Sequence, residues 1–129
     1  MSAFARDDQG RLCAGGMPLG DIAAGHGSPL YVYSGDGIRD DYRRFAAAVA
    51  PVDGSVHFAL KANSALGVIG LLARHGAGAD IVSGGEMARA LAAGIPAEKI
   101  VFSGVGKSAE EIGAALDAGI GQINAESSQ

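Results

Sequence analysis

Apolar positions along this chain follow two alternating rhythms. From Asp36 onward, Ile38, Tyr42, Phe45 and Val49 recur at helical spacing, with Asp40, Asp41, Arg43 and Arg44 on the other side. Pro51 ends that predicted helix, because the ring disfavours helical geometry in the residue before it. Short β-prone runs then appear at 56–60, 79–83, 99–103 and 121–125, and helical patterns at 65–75, 86–93 and 109–118 lie between them. Each of these helical patterns is followed by glycine, at Gly76, Gly94 and Gly119, the residue that best tolerates a left-handed conformation after a helix. Ser108 and Glu111 have the spacing of a capping box, and Ser64 is placed to cap a helix beginning at Ala65.

Taking His57, Asp80, Val101 and Gln122 as corresponding strand positions gives separations of 23, 21 and 21 residues. Strand and helix alternating at a near-constant period require parallel pairing, in an open doubly wound sheet or a (β/α) barrel, and the equal repeats favour the barrel. Ahead of this region, the first 29 residues are glycine-rich and weakly periodic. They lead into Leu30-Tyr31-Val32-Tyr33, a short run predicted as a strand. The expected organisation is a lead-in segment over residues 1–35 and a barrel portion over 36–129.

Composition narrows the class. With 48% hydrophobic residues, 21 glycines and no tryptophan, the core has to be built mainly from Ala, Val, Ile and Leu. The formal charge of −4, without a basic cluster longer than Arg43-Arg44, argues against a nucleic-acid surface. Cys13 is the only cysteine, so neither an intrachain disulfide nor a cysteine-based metal site is available, and an inert thiol in a cytoplasmic protein is expected. No apolar run reaches membrane-span length, and no signal-peptide core is seen.

In either architecture, chemistry belongs at the carboxyl ends of the strands. That rule selects Lys61-Ala62-Asn63, Ser83-Gly84-Gly85-Glu86, Ser103 to Lys107 and Asn124 to Ser127. Lys61 ends a strongly apolar run. A lysine buried there would favour its neutral, nucleophilic amine and suit Schiff-base chemistry, while an ordinary strand-end lysine with its head in water is the competing reading. Asp80 precedes apolar Ile81-Val82, where an unpaired carboxylate is costly, so Lys61 is its expected partner. Glu86 falls in the first turn of a helix, a place the helix dipole alone explains. Gly106-Lys107-Ser108 looks like a nucleotide P-loop but fails, since Val101 stands where the first glycine is required. Lys107 is instead expected as a cation in the barrel mouth. His26, His57 and His75 share no ligand spacing and receive no role, so no metal site is expected.

Four strings in order, His57-Phe58-Ala59-Leu60-Lys61-Ala62-Asn63, Gly78 to Glu86, Val101 to Ser108 and Gly119 to Ser127, closely resemble the N-terminal half of the diaminopimelate decarboxylases. These are pyridoxal-phosphate enzymes with an alanine-racemase-type barrel. The resemblance implies an α/β fold containing about the first four units of a (β/α)8 barrel. It implies that Lys61 holds pyridoxal 5'-phosphate as a Schiff base, with Asp80 and Glu86 shaping the site. It further implies conversion of meso-2,6-diaminopimelate to L-lysine and carbon dioxide, in a cytoplasmic homodimer without nucleic-acid or membrane partners. The family's ring-stacking histidine, phosphate loop and C-terminal β-domain match nothing up to Gln129, so the chain is expected to be an N-terminal fragment, inactive alone. Two alternatives stand beside this reading: another basic amino-acid decarboxylase or racemase of the same barrel group, and a non-catalytic half-barrel that dimerises or binds a full-length homologue.

Overall fold

The computed structural model describes residues 3–127 and divides between Arg44 and Phe45 into two compact units. The first unit opens with three short strands, β1 (Phe4–Arg6), β2 (Leu12–Ala14) and β3 (Met17–Pro18), paired antiparallel in that order. Asp7 closes the first turn. Its Oδ1 accepts from the Gln9 and Arg11 backbone N–H groups at 3.0 and 2.9 Å, and its Oδ2 from Arg11 Nε at 2.8 Å. The second turn is Gly15-Gly16, with φ of 56° and 81°, the left-handed pair that a two-residue hairpin demands. Helix α1 (Leu19–His26) follows, and α2 (Gly35–Val49) runs from this unit into the next, ending in a 3-10 turn at Ala50–Val52 that contains Pro51.

The run predicted as a strand at Leu30-Tyr31-Val32-Tyr33 joins no ladder among the described residues. Tyr31 is 89% exposed. Strand propensity reports how well a side chain fits a half-buried pleated surface, and these tyrosines lie on none. The strands of the lead-in segment lie earlier, at β1 to β3.

The second unit carries the predicted alternation. Strands β4 (His57–Ala59), β5 (Gly78–Ile81), β6 (Ile100–Phe102) and β7 (Gln122–Ile123) form a parallel sheet in sequence order. Helices α3 (Leu66–Arg74), α4 (Gly84–Ala92) and α5 (Ala109–Ala118) fall between them, with α3 against α4 and α4 against α5. Side chains alternate across the pleat. Leu60, Ala79, Ile81, Ile100 and Phe102 are fully buried and share a core with Ile69, Met87, Ala90 and Ala115 of the helices. The opposite face carries Ala59, Asp80, Val101 and Gln122 in one row of register partners.

That row corrects the repeat. Ala59, not His57, is the partner of Asp80, so all three intervals are 21 residues. His57 pairs with Gly78 and shares the face of Ala59, which settles its orientation. Gly78 is required beside it: an added Cβ would fall on the Lys99 carbonyl oxygen and 2.5 Å from His57 Nδ1. Four parallel strands in sequence order, with helices covering one face, are half of an eight-stranded barrel.

Candidate active site

The carboxyl ends of β4 to β7 bring the selected residues to one end of the sheet. After β4 the chain tightens into a 3-10 turn, Leu60–Ala62, whose Leu60 is fully buried and anchors it. Asn63 then turns the chain towards α3, its Oδ1 accepting from the Ala65 N–H at 3.0 Å, and no side chain caps the helix itself. Ser64 therefore does not cap this helix as predicted. Asn63 lies two residues ahead of the amide it accepts, the reach of an Asx turn.

Lys61 sits in the anchored turn and is exposed, so the burial expected of it is not found. The chain has three lysines. Lys99 donates to the Gly76 carbonyl at 3.2 Å. Lys107 donates to the Gly104 carbonyl, with its ammonium 5.7 Å from the centre of the Phe102 ring. Among the described residues, Lys61 alone of the three has an amine free of hydrogen bonds and ion pairs. It lies in the turn that follows β4, exposed to a carbonyl reagent.

Asp80 does not pair with Lys61. Its Oδ1 accepts from Ser103 Oγ at 2.5 Å. The hydroxyl of Ser103 in turn accepts from Asn124 Nδ2 at 3.1 Å, and Asn124 Oδ1 accepts from Gln122 Nε2 at 2.6 Å. The reason lies in the register: Lys61 has left the ladder for the 3-10 turn, while the segment after β6 stays alongside β5 through a Ser103 N–H to Ile81 O bond of 2.8 Å. Sequence reading selected the strings containing Ser103 and Asn124 but assigned them no role. The 21-residue spacing from Asp80 to Val101 and Gln122, each two positions before Ser103 and Asn124, is the signal that aligns them.

Glu86 closes its own helix. Ser83 Oγ accepts from the Glu86 N–H at 3.2 Å, and Glu86 Oε2 accepts from the Val82 N–H at 2.8 Å. The predicted capping box of α5 is complete, with the Ser108 and Glu111 bonds at 3.0 and 3.1 Å. Glu111 does more than cap. Its Oε1 accepts from the Gly84 N–H at 2.8 Å, joining the first turns of α4 and α5. The Gly84 and Ser108 N–H groups hold the Glu111 carboxyl below its ordinary value, since both favour the anion.

One other feature of the second unit lies away from these strand ends. His57 Nε2 is 3.0 Å from Ser55 Oγ at the amino end of β4. A cavity of about 350 Å³ in the first unit is lined by Arg6, Asp7, Cys13, Asp36 and Arg39, but Asp36 and Arg39 already pair at 2.8 Å and Asp7 serves the hairpin turn. The amine free of partners among the described residues and the ordered carboxylate are at the strand ends of the parallel sheet. Among the described residues no group of three or more His, Cys, Asp or Glu could hold a metal ion, and no helix is long and apolar enough to cross a membrane.

Fold and site together define a barrel-type lysine-bearing domain, and residues 36–129 match the family described as pyridoxal-dependent decarboxylase, pyridoxal binding domain. The chain belongs to that family. Its relatives include proteins named diaminopimelate decarboxylase from Zymomonas mobilis, 50% identical over 124 residues, and from Pseudomonas fluorescens, 54% identical over 118. Each alignment covers 92% of this chain and 29% or 28% of the relative. The crystal structure of diaminopimelate decarboxylase from M. jannaschii with L-lysine superposes with a TM-score of 0.89 at 36% identity, covering 96% of this chain and 30% of that one. The chain thus spans under a third of the length of these relatives. The family's cofactor is pyridoxal phosphate, and the residues present fit it: an unpartnered primary amine suits its aldehyde, and an ordered carboxylate at the same sheet end suits a cationic nitrogen.

Proposed function

We propose that this protein serves as the lysine-bearing part of a pyridoxal-phosphate-dependent carboxy-lyase that converts meso-2,6-diaminopimelate to L-lysine and carbon dioxide in lysine biosynthesis. The observation that carries the reading is Lys61, the one lysine whose amine is left unengaged among the described residues, at the carboxyl end of the first strand of the parallel sheet. Identities of 43–54% to proteins named diaminopimelate decarboxylase support it over a non-catalytic half-barrel, and over the arginine and ornithine decarboxylase structures, which are 19% and 25% identical. In this reading residues 1–35 lead into the half-barrel of 36–129, the protein is cytoplasmic, and the working enzyme is a homodimer without nucleic-acid or membrane partners.

When bound, the cofactor supplies an electron sink for the pair left behind as the substrate carboxyl departs as carbon dioxide. The chain's own residues do the rest of what falls to this half. Lys61 Nζ would hold the cofactor through its aldehyde carbon. The 3-10 turn, anchored by buried Leu60, sets where the Lys61 backbone leaves the sheet end. Asp80, held by Ser103, presents a carboxylate there, and Glu86 shapes the adjoining turn.

The test is carbon dioxide release by the chain extended to the length of its relatives, with diaminopimelate, ornithine, arginine and carboxynorspermidine offered separately. Release from diaminopimelate, abolished by Lys61→Ala, is expected. Preference for another substrate would move the protein elsewhere in the family, and release untouched by Lys61→Ala would remove the lysine from the mechanism.

A further inference from the structure

The hydrogen bonds from Gln122 to Asp80 form a relay across three strands with a fixed direction. Gln122 Nε2 donates to Asn124 Oδ1 at 2.6 Å, Asn124 Nδ2 to Ser103 Oγ at 3.1 Å, and Ser103 Oγ to Asp80 Oδ1 at 2.5 Å. An amide nitrogen only donates and an ionised carboxylate only accepts, so the hydroxyl of Ser103 has one arrangement that serves both neighbours. Successive bonds of one polarity reinforce each other, and the terminal bond, made to a charged acceptor, is the strongest kind. Asp80, Ser103 and Asn124 are each half-buried, which limits competition from water. The relay occupies Oδ1 and leaves Oδ2 of Asp80 without a hydrogen bond among the described residues. Ala59, the register partner of Asp80, is two residues before Lys61, so the open oxygen belongs to the strand-end region where Lys61 emerges.

We propose that Asn124 and Ser103 are positioning residues for the Lys61 site, acting through Asp80: the relay fixes this carboxylate so that its free oxygen receives a cationic nitrogen at the carboxyl end of the sheet. The inference rests on the reading of Lys61 as the cofactor's lysine. It assigns a task to residues that directly follow β6 and β7 and act through Asp80. Gln122, exposed at the far end, contributes least.

The probe is pyridoxal phosphate itself, added over a range of concentrations to the 129-residue chain, followed by borohydride reduction and mass-spectrometric measurement of label on Lys61. Asn124→Ala and Ser103→Ala should each raise the half-saturating concentration about 3–10-fold, the size that the loss of one such hydrogen bond carries. Asp80→Asn should do the same. In the Asp80→Asn background, Asn124→Ala should add little, because its target is gone. Circular dichroism on each variant separates this effect from loss of fold, and Ser103→Ala, the smaller change, serves where Asn124→Ala does not fold. Label on Lys61 that ignores both relay variants, or an Asn124→Ala effect undiminished by Asp80→Asn, would overturn the inference alone. Absence of label on Lys61 in the unaltered chain would overturn the inference together with the reading beneath it.

Discussion

Lys61 and Gly78 mark two kinds of residue at the parallel sheet, one proposed to serve chemistry and one serving space. Lys61 is exposed and unpartnered, so Lys61→Ala should leave stability within ~0.5 kcal/mol while removing cofactor retention, as thermal melts with and without pyridoxal phosphate will read. Gly78 is buried against His57 and the Lys99 carbonyl. Gly78→Ala should cost ~1–3 kcal/mol by overpacking, measured by denaturant unfolding, and an unchanged midpoint would show that the strands separate more easily than their contacts indicate. Lys61 stood out in the sequence because it ends an apolar run within a string that resembles the family. Its exposure was not legible, since nothing in the run Phe58-Ala59-Leu60 reveals that the chain turns into a 3-10 helix before the side chain is covered. The partner of Asp80 was misread for a related reason. The nearest cation in sequence looked like the compensating group, but the parallel register offers a carboxylate its neighbours from the following strand.

At the scale of elements, the helices and strands of the second unit were legible to within a residue or two, because apolar period, terminal glycines and the Ser108 capping box agree there. The hairpins of the first unit were not read, although Asp7-Asp8-Gln9-Gly10 and Gly15-Gly16 are turn signals; the strands they join, two or three residues each, are too short to show alternation. Glu111 ties two elements that were each read alone. Its lowered pKa means that its contribution is fully present above the ordinary glutamate value and is lost as pH falls through the lower value of the folded protein. The difference in melting temperature between the unaltered chain and Glu111→Gln should therefore be widest near neutrality and close in acid. A constant difference would assign the effect to shape in place of charge. Ser108→Ala should cost ~1 kcal/mol through the lost cap, with the Glu111 to Gly84 bond retained.

For the molecule as a whole, four parallel strands supply half of a barrel's closure, and the chain spans under a third of its relatives. The 129-residue chain by itself is expected to release no carbon dioxide from diaminopimelate, because a covalent tether without the remaining half of the barrel leaves the cofactor ring unoriented. The near-constant intervals of 23, 21 and 21 residues favoured a barrel before any coordinate, while the uniform 21-residue register and the relay from Gln122 to Asp80 needed the structure, since they depend on which residues stand level on the strands. The account turns on one nitrogen. Incubating the chain with pyridoxal phosphate, reducing it and mapping the labelled peptide chooses among Lys61, Lys99 and Lys107 directly. The account predicts label on Lys61, with Lys99 and Lys107, engaged by the Gly76 and Gly104 carbonyls, little modified; label concentrated on either of those two would contradict it.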